Sequence, residues 1–214
     1  MHSLLPLLFA GVVGFTHAFE IDHLLAVSSI ASRRKSVFMA IKDGIFWGLG
    51  HTSTILVIGI VMILAKVVVA EQVFHYFEAA VGVMLILLGG HRIWKTWEHE
   101  KNHAKAHDHH EPHGHRLAYG GGLVHGLAGS GALTALLSAR MPGVWDRLAY
   151  VSLFGIGSML GMGALAGLLG WPLSRFLQAR PLAGQLLTVV AGVLSIGMGV
   201  FWGAPIVDRL LSGS

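Results

Sequence analysis

The sequence predicts an all-α, polytopic membrane protein of six transmembrane helices arranged as an inverted 3+3 repeat. Three observations predict it. The chain is 54% hydrophobic and 12% charged, whereas soluble domains carry about 25% charged residues. Several apolar runs reach the roughly 20 residues that a helix needs to cross a bilayer. The two halves of the sequence also resemble each other.

Taken in order, the spans fall at about 4–30, 43–69, 73–94, 118–138, 147–170 and 183–203. The first, beginning MHSLLPLLFAGVVGFTHAFE, lacks a basic start and a small-x-small cleavage site, so it reads as a span rather than a signal peptide. The connections after spans 1, 3 and 5 hold 11 of the 15 Lys and Arg residues. Basic connections stay in the cytoplasm, so the expected location is the cytoplasmic membrane, multi-pass, with both termini non-cytoplasmic. Read this way, the formal charge of +4 reports orientation, and no nucleic-acid partner is expected. Lys66 snorkels at the end of span 2. The tryptophans, among them Trp47, Trp94, Trp97 and Trp145, fall mostly near span ends as an aromatic belt does.

GFTHAFEIDHLLAV (14–27) lies over GLVHGLAGSGALTA (122–135), which sets His17 against His125 at an offset of 108. VGVMLILLGG (81–90) lies over AGVLSIGMGV (191–200) at 110, and LGHTS (49–53) over FGIGS (154–158) at 105. Three spans per unit is an odd number, so the second unit is inverted relative to the first. Such repeats characterise transporters, with the substrate near the midplane between the units. The expected units are 1–94 and 118–214, joined by a cytoplasmic His-rich loop at 95–117.

His17, Glu20, Asp22 and His23 lie inside one apolar segment. Ionisable groups at that depth cost several kcal/mol unless paired or bound. Imidazole and carboxylate are ligands for divalent nickel, cobalt, zinc or copper. A regular helix turns about 100° per residue, so it cannot aim all four at one ion; either the helix unwinds here or another completes the shell. His51, among Gly48, Gly50, Thr52, Ser53 and Thr54, supplies a partner from span 2. His125 lies in a stretch containing Gly120, Gly121, Gly122, Gly126, Gly129 and Gly131, where close packing or a break brings it toward the site from the other half. A buried hydrogen-bonded cluster that only fixes helix packing is the structural alternative.

The motif His17-x4-Asp22-His23, within HAFEIDHL, resembles the signature of the nickel/cobalt permease family. LGHTST resembles that family's second motif, and LVHGLAGSGALTALL (123–137) is similar to the fourth-span signature of its small urease-accessory-type branch. Glu20 stands where the larger permeases carry Asp, and their preceding helix and later acidic motifs are absent. The resemblance implies uptake or efflux of nickel or cobalt, with His17, Asp22, His23 and His51 as ligands. It also implies a metallochaperone, or maturation proteins of a nickel enzyme, as protein partners.

The loop 95–117 holds seven of the fourteen histidines: His99, His103, His107, His109, His110, His113 and His115. Such tracts bind metal weakly and exchangeably, which fits a sink or sensor beside the pore. With no Cys, thiolate sites are excluded. No phosphate-cradling GxxxxGK[ST] loop and no HExxH motif is present, so no enzyme activity and no resident cofactor is expected. The expected function is a secondary transporter of a divalent transition-metal ion, with proton exchange at the same ligands as a possible driving force. Two other readings compete: a membrane metal-binding accessory or sensor protein without transport, and a haem-binding helical bundle.

Overall fold

A computed structural model describes residues 4–31, 34, 36–65, 71–101, 114–127, 141, 143–179 and 181–212. The described residues form seven helices and no strand: α1 (Leu4–His17), α2 (Ile21–Ala31), α3 (Val37–Ala65), α4 (Glu71–Lys101), α5 (Gly114–His125), α6 (Val144–Ala179) and α7 (Pro181–Ser212). Four stretches, Val37–Ala65, Val73–Glu98, Val144–Gly170 and Gln185–Arg209, are long and apolar enough to cross a membrane. α1 and α2 pass the same test only as a pair, bent by 57°.

That bend divides the expected first span. His17 ends α1, and Phe19 N–H and Glu20 N–H donate back to the Thr16 and His17 carbonyls, closing a tight turn. α2 then starts with Glu20 and Asp22 at its N-terminus, where carboxylates meet the positive end of the helix dipole. The acids that are costly mid-helix are thereby placed at a helix start. The expected span 118–138 is described only as far as Leu127; residues 128–140, with Gly129 and Gly131, lie outside the described residues. So does Lys66. Helix α3 begins at Val37, six residues before the expected boundary, and α4 runs to Lys101, into the loop expected at 95–117. The side chain of His99 and all of His103, His107, His109, His110 and His113 lie outside the described residues.

Among the described helices, α3 packs on α6 and α5, α1 packs on α6, and α4 packs on α7. Glycine makes these crossings close. A Cβ at Gly14 would fall 2.0 Å from the Phe154 carbonyl oxygen, and one at Gly122 would fall 2.0 Å from that of Trp47. Such backbone approach is how small residues drive helix association where lipid removes the hydrophobic incentive. The buried centre contains Trp47, Met162, Leu165 and Ala166, while Leu8, Val61, Leu87 and Phe201 point outward. That is the apolar exterior a bilayer accommodates.

Candidate metal centre

The break between α1 and α2 is the floor of a buried polar cluster. His17 comes from the end of α1, Asp22 and His23 from the first turn of α2, His51 from the middle of α3 and His125 from the last turn of α5. All five are buried, His51 and His125 completely. The ring centroids of His17 and His23 are 4.4 Å apart, those of His23 and His51 5.1 Å, and those of His23 and His125 4.2 Å. His17 and His51 stack at 5.4 Å.

Carboxylates orient the rings. His17 Nδ1 donates to Glu20 Oε1 at 2.7 Å. His23 Nδ1 donates to Asp22 Oδ1 at 3.0 Å, and His125 Nε2 donates to Asp22 Oδ2 at 3.1 Å. The Asp22 Oδ1 atom also accepts the His23 backbone N–H. With each of those nitrogens bonded to a carboxylate, the opposite nitrogen carries the lone pair, as in carboxylate–histidine–metal arrangements. Those opposite atoms, His17 Nε2, His23 Nε2 and His125 Nδ1, are buried without a hydrogen-bond partner among the described residues, as are both ring nitrogens of His51. An unpaired buried polar group costs roughly 1–3 kcal/mol, so this is an arrangement that a cation accepting lone pairs would relieve.

Two overlapping triads share His23. One ligand atom from each of His17, His23 and His51 lies within 4.8 Å of the others, and the same holds for Asp22, His23 and His125. Ligand edges in a filled shell are about 3–4 Å when metal–nitrogen bonds are about 2.0–2.1 Å, so small ring movements close either set. Both expected devices are present at once: the helix is interrupted, and other helices contribute. Of the residues singled out in the sequence, His17, Asp22, His23, His51 and His125 come together. Glu20 does not enter either triad. It stands at the break with its side chain 59% exposed and holds His17 from outside. His75 and Glu78 pair with each other at 3.1 Å within α4.

Trp47 is not at an interface belt. It is buried, one turn before His51, with its ring 5.7 Å from His125 and pressed against Gly121. By contrast Trp94, Trp97 and Trp145 are exposed, as belt residues are. Sequence reasoning also passed over Asp43, a buried carboxylate paired with Arg34 and His115. The signal was available: 43, 47 and 51 share one helix face at i, i+4 and i+8. Ser158, fully buried with an unpartnered hydroxyl, carried no such signal.

The chain is similar to known proteins along nearly its whole length. It is 34% identical over 213 residues to urease accessory protein UreH of Bacillus sp. (strain TB-90), covering 94% of this chain and 91% of that one. It is 23% identical over 188 residues to the chloroplast protein FOR GROWTH AND FERTILITY 2 of Arabidopsis thaliana, covering 84% of this chain and 50% of that one. No family model matches the chain, and no solved structure matches it. The first of these similarities is high enough and complete enough to place it: the chain belongs to the family of urease accessory protein UreH.

Proposed function

We propose that this protein is a secondary transporter that carries a divalent transition-metal ion, nickel or cobalt, across the cytoplasmic membrane through the cluster at the α1/α2 break. One observation carries the reading: five buried imidazole nitrogens, from His17, His23, His51 and His125, have no hydrogen-bond partner among the described residues, and their rings cluster between helices long and apolar enough to cross a membrane. His17, His23 and His51 form a neutral shell, while Asp22, shared by His23 and His125, supplies the negative charge that offsets the ion. His23 belongs to both triads, so an ion exchanges between them by swapping single ligands rather than by leaving a closed cage. The name of the UreH relative, a urease accessory protein, and the likeness of HAFEIDHL to the permease signature favour nickel or cobalt as cargo.

Contacts between helices support the inverted repeat. Gly14 against Phe154 O and Gly157 against Gly11 O are matched by Gly122 against Trp47 O and Gly50 against Tyr119 O. Each member of the second set lies 107 or 108 positions from its counterpart in the first. Gly82 meets Gly199 O, and Gly89 meets Gly192 O, the reciprocal pattern of a two-fold axis at an offset of 110. The same relation sets His17 over His125 and His51 over Ser158. Six spans, a site between two inverted units, and termini on the non-cytoplasmic side complete the reading.

A haem-binding role is disfavoured by packing. Cβ atoms placed at Gly122 and Gly126 would lie 2.0 and 2.5 Å from the carbonyl oxygens of Trp47 and His51, so backbones meet beside His51 and His125 where a macrocycle would have to enter. An accessory or sensor role is separated by flux. Purified protein reconstituted in vesicles should accumulate nickel or cobalt above protein-free vesicles; saturable binding with no net flux would establish a sensor instead.

A further inference from the structure

Helices α3 and α5 run parallel along a common seam. On α3, Asp43, Trp47 and His51 share one face; on α5, His115 and His125 share another. At about 1.5 Å rise per residue, Asp43 lies about 12 Å along the helix from His51, and His115 about 15 Å from His125. His51 and His125 meet at one end of the seam, and Asp43 and His115 meet at the other. The second end lies at the N-terminal ends of α3 and α5.

At this end Asp43 is 1% exposed. Its Oδ1 accepts from His115 Nδ1, and its Oδ2 accepts from Arg34 Nε. Phe46 stacks on the His115 ring at 5.2 Å. Arg34 and His115 have side chains 20% and 22% exposed, so the cluster opens at its edge. Trp47 fills the seam between the two ends: its ring atoms lie 2.3 Å from a Cβ built on Gly121. The two polar ends are therefore separate places, divided by one indole.

We propose that Asp43 and His115 form a second divalent-metal station, which receives or delivers the ion at the N-terminal end of the seam, and that Arg34 competes with the ion for the same carboxylate. A buried carboxylate requires a cation, and the guanidinium meets that need from the edge that faces outward. One oxygen and one imidazole nitrogen make a small, mixed donor set, which holds a divalent ion loosely. A loose station suits transfer between a tract of exchangeable histidines and a closed intramembrane shell. The inference rests on the transport reading for the direction of use but not for the existence of the station.

The absence of cysteine from the chain gives a clean test. His115→Cys in the full-length protein, titrated with Co2+, should give a saturable thiolate-to-cobalt charge-transfer absorption. Adding Asp43→Asn should weaken the apparent affinity of that band at least tenfold, and adding Arg34→Ala instead should tighten it by a similar factor. Adding His23→Ala should leave the band unchanged, so failure of the intramembrane site is read separately, from flux. Absence of the band in folded His115→Cys protein, or a band indifferent to both Asp43→Asn and Arg34→Ala, overturns the proposal. Should Arg34→Ala not fold, Arg34→Gln, which removes the charge and keeps a donor, is expected to shift the band in the same direction, and no shift counts against the station.

Discussion

At the scale of single residues, the central question is what Asp22 and His51 contribute. Asp22 fixes two rings at once, through Oδ1 to His23 and Oδ2 to His125. Asp22→Asn keeps the shape but offers an amide N–H to one ring, which turns that ring's lone pair away from the cluster. Nickel flux should therefore fall at least about tenfold, a loss of about 1.4 kcal/mol, with little change in melting temperature. Equal flux would assign Asp22 to packing alone. His51 has neither ring nitrogen bonded among the described residues, unlike a histidine retained for hydrogen bonding. In calorimetric metal titrations, His51→Ala and His23→Ala should each weaken the tight binding event similarly, and the double variant should be little worse than either. Ligands of one ion are non-additive; fully additive losses would detach α3 from the site.

At the scale of elements, glycine positions make a discriminating pair. Gly122 meets the Trp47 carbonyl, and the added methyl of Gly122→Ala would fall 2.0 Å from that oxygen; around Gly120 nothing lies within 4 Å. Gly122→Ala should separate α3 from α5, lower the melting temperature by several degrees and weaken metal binding. Gly120→Ala should be neutral or slightly stabilising, since Ala is the better helix former by about 1 kcal/mol. Similar melting temperatures for the two variants would refute the close seam. The sequence made much of this visible. Clustered ionisable groups at 17–23 pointed to a break or to a second helix completing the shell, because no regular helix aims them together, and α1 and α2 do part there. It did not show Asp43 or Trp47 as site neighbours. Asp43 sits at the expected start of span 2, where a carboxylate is unremarkable, and Trp47 is near enough to that start to pass as a belt residue. The parallel placement of α5 shows what each faces.

At the scale of the whole molecule, the proposed repeat rests on matched glycines and a pair of histidines, with the match of span 2 to span 5 offset by 105 in the sequence comparison and by 107 in the helix contacts. Repetitive Gly and Leu allow either register; backbone contacts at Gly50 and Gly157 distinguish them. Under the proposed repeat, Ser158 stands where the first unit has His51, so the two halves would not contribute equally to the cluster. The sequence places the His-rich tract between spans 3 and 4, and residues 102–113 lie outside the described residues. Replacing residues 102–113 with a Gly/Ser segment of equal length should leave a competent transporter with altered flux at low metal concentration. Complete loss of flux in properly inserted protein would show that an essential ligand lies in the tract.

The most direct measurement of the central claim is nickel flux into proteoliposomes containing equal amounts of wild-type and His23→Ala protein. His23 is the residue common to both ligand triads, and replacing its buried ring introduces no new charge. Transport through the α1/α2 break predicts that the wild type accumulates nickel and that His23→Ala does so at least about tenfold more slowly, with its melting temperature nearly unchanged. Undiminished flux through correctly inserted His23→Ala protein would contradict the account, because no ion could then be passing between the triads that His23 joins.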